Sequence, residues 1–388
     1  MHLSWKLVFA TAVSLLAVSN ADKTLVGGSG GWNEGDWFVQ VDGVMGGRSS
    51  GRLSFPSSSV MKFEGTISLE GGGFSSVRSV RMEHDLSRYA GVSVAFETQA
   101  PGSVPLGMHL QFSNAGSRYS YASAFAVPPG QNLGDVATVF LPLWSFNRAT
   151  SSGFRCGDCE HDPSKINGMD FYVLFQEGPF SVKILNVTAL DAVPEAPAGP
   201  TTPLADSATV VSLVSDTISR SAYLYGQDYG ELSVAVYDAT ARLVAASSAA
   251  SDASRDAVCA GLQRAKEIST SPYDRAWVLR RAFDIVLATE QGTTLPVDAD
   301  YPEVARGAWI SIKQESGWDA CRSGHPVTYP VANPSPTASQ QTASPPASPG
   351  SPPASGNVIS AAAGGRTAGT SFLAATTTLA LLYLSLRA

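Results

Sequence analysis

Cys156-Gly157-Asp158-Cys159-Glu160-His161 is the densest set of metal-binding and redox-capable side chains in the chain. Zinc takes four ligands in a tetrahedron, and two cysteines with one histidine leave only Asp162 or Glu160 as a local fourth. That spacing departs from zinc patterns and no second cysteine pair lies nearby, so no metal is assigned. A redox role would need a thioredoxin-like βαβ context around the Cys-x-x-Cys, which the flanking sequence lacks. In an oxidising compartment the 4 cysteines are expected to pair, and spacing alone leaves every connectivity open. The pairing favoured is Cys156 with Cys159, pinning a loop, and Cys259 with Cys321, pinning a helical domain.

Other chemistry finds less support. Gly28-Ser29-Gly30 begins like a dinucleotide-binding turn, but Asn33 stands where the third glycine belongs and no helix opens after it. Phosphate-binding loops of the Gly-x-x-x-x-Gly-Lys-Ser/Thr type are absent from the sequence. His84, His109, His161 and His325 lie outside any Gly-x-Ser-x-Gly elbow, and His109 alternates with Met108 and Leu110 as a strand residue would. No catalytic residue and no cofactor is therefore assigned. Trp32, Trp37, Tyr119, Tyr121 and Trp144 could stack on sugar rings, although for any one of them a core or edge position is the favoured reading, because aromatic residues dominate cores. Asn186-Val187-Thr188 is a glycosylation sequon.

Composition narrows the field further. A net charge of −7 with 15% charged residues argues against a nucleic-acid partner, which calls for a basic excess on one face. A 44% hydrophobic content excludes wholesale disorder. Both ends read as address labels. Lys6, an apolar run over 7–18 and small residues at Ser19 and Ala21 give the order of a secretory signal, residues 1–21. At the other end Ser360-Ala361-Ala362-Ala363 leads through a polar spacer into an apolar tail over 372–386, the order of a glycolipid-anchor signal within 359–388, with attachment near Ser360. The expected destination is the outer face of a eukaryotic plasma membrane.

The elements between must position whatever chemistry there is. Residues 22–192 alternate apolar and polar side chains in short runs, such as Val92 to Phe96, Met108 to Phe112, Thr138 to Leu141 and Phe171 to Phe175. Gly, Pro, Asn and Ser clusters separate them. This predicts a β sandwich or jelly roll. Proline marks a linker over 193–204. From 205 to 325 the period becomes helical: Val210, Leu213, Val214, Thr217 and Ile218 share one face, and Leu232, Val236, Ala239 and Leu243 share another. Ser271-Pro272-Tyr273-Asp274 has the order of a helix start, with serine capping, proline first and an acid in the first turn. A small all-α domain of four or five helices follows. Residues 326–358 mix Pro with Ser, Thr and Ala and read as a disordered, O-glycosylated stalk.

The most distinctive stretch runs from Trp37 through Asp42-Gly43-Val44-Met45-Gly46-Gly47-Arg48-Ser49-Ser50-Gly51. Blocks at Phe63 to Leu69, Gly72 to Arg78, Asp85 to Gly91 and Gly178 to Ile184 follow in order. Together they resemble the complex I intermediate-associated protein 30 domain. That resemblance implies a galactose-binding-domain-like jelly roll and a chaperone-like assembly factor of the respiratory NADH:ubiquinone oxidoreductase, not an oxidoreductase. This sequence departs from the family in two ways. Glu97 to Gly102 replaces the usual aspartate and tyrosine strand, and a secretory signal stands in place of an organelle address.

Physically, Asp42-Gly43 and Gly46-Gly47 are turn formers, and a charged bridge from Arg78 to Asp42 is expected to tie two turns together. The functional reading places Asp42, Arg48 and Arg78 on one rim of the sandwich, facing a protein partner. The alternative is a carbohydrate-binding wall or matrix module using Trp32, Trp37 and Trp144. Both are non-enzymatic.

Overall fold

A computed structural model describes residues 22–307 and Cys321, apart from 101–102, 131, 152–153, 157–158, 195–203 and 269–270. The leader 1–21, most of the linker, the stalk 326–358 and the anchor signal with Ser360 lie outside the described residues. So do the side chains of 148–158, Cys156 among them.

Residues 22–190 form two antiparallel sheets. The strands are β1 Lys23–Gly27, β2 Trp37–Val41, β3 Ser50–Ser57, β4 Val60–Ile67, β5 Phe74–Ser79, β6 Gly91–Glu97 and β7 Leu106–Asn114. After them come β8 Ser120–Val127, β9 Val136–Pro142, β10 Arg148–Ser151, β11 Phe154–Cys156, β12 Ile166–Leu174 and β13 Gly178–Leu190. One sheet runs β3-β4-β13-β6-β9, with β1 also pairing β13, and the other runs β11-β10-β8-β7-β12-β5-β2. Their inner faces enclose one core, because alternate positions of each strand are apolar. Strand β12 sends Met169, Phe171 and Val173 inward and β7 sends Met108, Leu110 and Phe112, all at 0% exposure.

Among the described residues four helices follow: α1 Ser207–Gly226, α2 Gly230–Ala246, α3 Asp252–Ile268 and α4 Pro272–Gln291. Asp206 caps α1 by accepting from the Thr209 amide, and Ser271 caps α4 by accepting from the Asp274 amide, with Pro272 in the first position. Glu290, near the end of α4, accepts from Ser207 Oγ, from the Ser251 amide and hydroxyl, and from Ser254 Oγ, at 2.6–2.8 Å. Burial pushes its carboxyl up, but these donors bring it down to about 2. One carboxylate thereby ties together the starts of α1 and α3. Cys259 of α3 is disulfide-bonded to Cys321.

The helices dock on the sandwich. Strand β7 is buried along both faces because α2 lies across the outer side of the seven-stranded sheet. The seal is apolar: Leu224, Leu232 and Val236 meet Tyr172 and Leu174. Backbone and helix are in close contact at Gly107, where a Cβ would stand 2.9 Å from Val236 Cγ2 and 3.0 Å from Leu232 Cδ1. Gln176 holds the same residue by accepting from its amide at 2.8 Å and donating to its carbonyl at 2.6 Å. Gly107→Val is therefore expected to destabilise the protein by about 1–3 kcal/mol through overpacking, as a lowered urea midpoint. An unchanged midpoint would contradict this seating of α2.

Candidate functional site

The rim loop is built around Asp42. Val41 ends β2, Asp42–Met45 forms a single 3-10 turn, and Gly46 takes a left-handed φ of 87° that reverses the chain. The Asp42 side chain is fully buried. Its carboxylate accepts from the Ser49 amide at 3.0 Å, Ser49 Oγ at 2.6 Å, the Gly73 amide at 2.6 Å and the Phe74 amide at 3.2 Å. Burial alone would push the carboxyl up, but these four donors outweigh it and hold it below the usual range. Gly47 and Gly72 leave the necessary room, since a Cβ on either would fall within 2.4 Å of the Asp42 side chain. Two stretches some thirty residues apart in sequence are thus clamped on one buried charge.

The clamp displays what lies above it. Val44 is 78% exposed and Met45 64%, at the tip of a turn whose base cannot move freely. Beside them Arg48 pairs with Glu70 at 2.5 Å, both largely in solvent. An exposed pair of that kind contributes only about 0–1 kcal/mol to stability, so it is free to exchange partners.

The expected bridge from Arg78 to Asp42 is not formed. Asp42 already has four donors and needs no cation, while strand alternation turns Arg78 to the outer face of the seven-stranded sheet. There Arg78 donates to the Tyr172 hydroxyl and to Ser76 Oγ, with its guanidinium 5.0 Å from the Tyr172 ring centre. Of the three rim residues read from sequence, Asp42 lies beneath the rim, Arg48 on it and Arg78 away from it.

The aromatic set divides in the same way. Trp32 and Trp37 meet edge to face at 5.3 Å, and Trp32 Nε1 donates to the Leu185 carbonyl. Both are core residues, unavailable to a sugar. Tyr121 is buried as well, whereas Trp144 is 55% exposed. His161 packs against Phe112, Tyr121 and Phe146, and burial pushes its imidazole down to about 4, so it is neutral at physiological pH. Cys159 is disulfide-bonded. Asn186 is half-buried within β13, between Gly27 of β1 and Ala95 of β6, so the sequon sits on a central strand rather than a loop.

The outer face of the seven-stranded sheet holds groups that sequence reasoning missed. Register sets Phe38 opposite Arg78, Arg78 opposite Asp170, and Asp170 opposite Gln111, on β2, β5, β12 and β7. The next row runs Gln40, Ser76, Tyr172 and His109, and here Tyr229, from the turn between α1 and α2, lies 5.7 Å from the His109 ring. Helix residues Leu224, Leu232 and Val236 pack against Tyr172 of this second row. Asp170 is 8% exposed and Gln111 9%. Burial pushes the Asp170 carboxyl up to about 6, against the pull of Arg78 and of the Ser79 amide.

No curated protein matches the chain. Among solved structures, it is similar to the family 11 carbohydrate-binding module of the cellulosomal cellulase Lic26A-Cel5E of Clostridium thermocellum, at 12% identity over 45% of this chain and 96% of that one, with a TM-score of 0.33. A family 30 carbohydrate-binding module is similar at 13% identity over 46% and 92%, with a TM-score of 0.30. At these values neither says what this chain binds. The rim loop, its clamping glycines, strands β2 to β12 and the first half of β13 fall within residues 30–184, and that span matches the family model of complex I intermediate-associated protein 30 (CIA30).

Proposed function

We propose that the chain is a non-enzymatic binding protein of the cell exterior. Residues 1–21 lead it into the secretory pathway, a lipid anchor near Ser360 holds it at the surface, and the rim loop of its β sandwich receives a protein partner in the manner of an assembly factor. The observation that carries this reading is the clamped turn. Four hydrogen bonds to a buried carboxylate fix a loop whose tip offers Val44 and Met45 to solvent, with the Arg48–Glu70 pair alongside. Rigid apolar anchors bordered by charge suit protein association, because little freedom is lost on binding. The fitting partner has an apolar pocket for the two side chains and charges that can take over from the Arg48–Glu70 pair.

Co-purification from the cells that make the protein tests it. Val44→Asp with Met45→Asp is expected to leave the melting temperature within about 2 °C of wild type, since both side chains are exposed. The same pair of changes is expected to reduce the recovered partner at least about tenfold, as loss of two interface anchors should. Equal recovery with wild type and variant would remove the rim loop from the account. The carbohydrate module read from Trp32, Trp37 and Trp144 loses two of its three rings to the core.

A further inference from the structure

We infer that the helical domain sets the rim loop, through Phe175 and the turn between α1 and α2; what this says of binding rests on the rim-loop reading above. Phe175, just past the end of β12, has a φ of 50°, a left-handed backbone that a bulky side chain rarely adopts. Strain of this kind persists only where the surroundings impose it. Here both neighbours are fixed. Leu174 pairs with Phe74 of β5, and the Gln176 side chain is bonded to the Gly107 amide and carbonyl. The Phe175 ring itself meets the helical domain, its centre 5.2 Å from that of Tyr229 and 6.2 Å from that of Tyr223.

What Phe175 holds is the clamp. Its amide donates to the Gly73 carbonyl at 2.6 Å, and its ring lies so close to Gly73 that a Cβ there would collide with it. Gly73 in turn donates its own amide to Asp42. Phe74, the next donor, has its ring 6.1 Å from that of Tyr172 and packs against the cluster that contains Leu224 and Leu232. Two of the four donors to Asp42 therefore belong to residues braced by the helical domain. With the α1–α2 turn withdrawn, Phe175 can relax to an ordinary negative φ, its bond to Gly73 is lost, and the Gly73 and Phe74 amides drift from the carboxylate. The tip with Val44 and Met45 then loses its rigid base. Phe175 and Tyr229 are accordingly positioning residues, acting on the tip through Gly73 and Asp42. Coupling between two sites is reciprocal, so a partner seated on the tip also tightens the turn.

Hydrogen exchange of the purified full-length chain, without partner, tests the coupling. In Tyr229→Ala the segments carrying the Ser49, Gly73 and Phe74 amides are expected to exchange at least about tenfold faster than in wild type, while Val92 and Val94 of β6, in the other sheet, change less than about twofold. Phe175→Gly, which accepts the positive φ but lacks the ring, is expected to do the same, and Tyr229→Phe, which keeps the ring, to match wild type. Melting curves establish that each variant folds, and Phe175→Gly serves if Tyr229→Ala does not. Exchange unchanged at Ser49, Gly73 and Phe74 in both ring-deleting variants would overturn the coupling, as would an equal rise at β6, which would mean general destabilisation. Partner recovery with Tyr229→Ala is expected to fall about tenfold, and recovery equal to wild type despite faster exchange would overturn the positioning role. Because exchange is read without a partner, the rim loop can fail as a contact surface while the coupling stands. The coupling can likewise fail while Val44→Asp with Met45→Asp still loses the partner.

Discussion

Replacing Asp42 by alanine is expected to cost about 3–5 kcal/mol of folding stability, the largest effect of any single polar substitution in the sandwich. The loss would come less from the missing carboxylate than from what it leaves behind. Three backbone amides, of Ser49, Gly73 and Phe74, and one hydroxyl would be stranded in a site from which water is excluded. Each stranded donor costs about 1–3 kcal/mol, partly recovered if water enters the space. Asp42→Asn should rescue little, because its amide nitrogen would meet donors where an acceptor is needed.

The pH dependence has a definite sign. The hydrogen bonds hold the folded-state pKa below the usual carboxylate value, so the contribution is present above the unfolded value and is lost as pH falls through the folded one. Urea denaturation at pH 7 and pH 3 should therefore show the difference between wild type and variant shrinking in acid. A difference below about 1 kcal/mol at pH 7 would show that the donors find other partners. Since Asp42 touches no solvent, its replacement should also abolish partner recovery without removing any contact to the partner.

Asp170→Asn should act in the opposite direction. With a folded pKa of about 6, raised above the unfolded value by burial, the carboxylate opposes folding wherever it must be ionised. The penalty is absent below the unfolded pKa, grows between about pH 4 and 6, and is complete above that range. Facing groups are Arg78, Tyr172, Gln111, His109 and the Ser79 amide. Only Arg78 and the Ser79 amide favour the ionised form, and they do not cancel the desolvation. The neutral isostere should consequently raise stability by about 2–3 kcal/mol at pH 8 and by almost nothing at pH 4. Guanidinium denaturation at the two pH values reads this directly. A variant less stable than wild type at pH 8 would mean that Asp170 is a structural anchor.

Strand runs such as Val92 to Phe96 and Phe171 to Phe175 were legible because a half-buried strand alternates, and β6 and β12 contain or overlap them. The start of α4 was legible from serine, proline and aspartate in capping order. Helix α3 was not. Its buried face is mostly small, with Ser254, Ala257, Cys259, Ala260, Gly261 and Ala265 around only two larger apolar side chains, Val258 and Leu262. Asp42 could be read as a turn former, but not as a fully buried hub, because two of its four donors arrive from a stretch some thirty residues away.

The pairing of Arg78 with Asp42 failed for a related reason. Proximity of turns in a motif does not reveal which face of a strand a side chain leaves from, and that alternation carried Arg78 to the outer face. The Phe38, Arg78, Asp170 and Gln111 row exists only once three registers are fixed, which no local pattern encodes. Trp32 and Trp37 were open to either a core or a surface reading, and the core contains them.

The central claim is that the clamped turn is a contact surface. A photoreactive benzoylphenylalanine placed at Met45, 64% exposed, and separately at Leu133, 82% exposed, tests it in the cells that make the protein. Irradiation should yield one discrete adduct of reproducible mass from position 45 and none from position 133, with the adduct abolished by Asp42→Ala. Equal labelling from both positions, or no adduct from position 45, would contradict it.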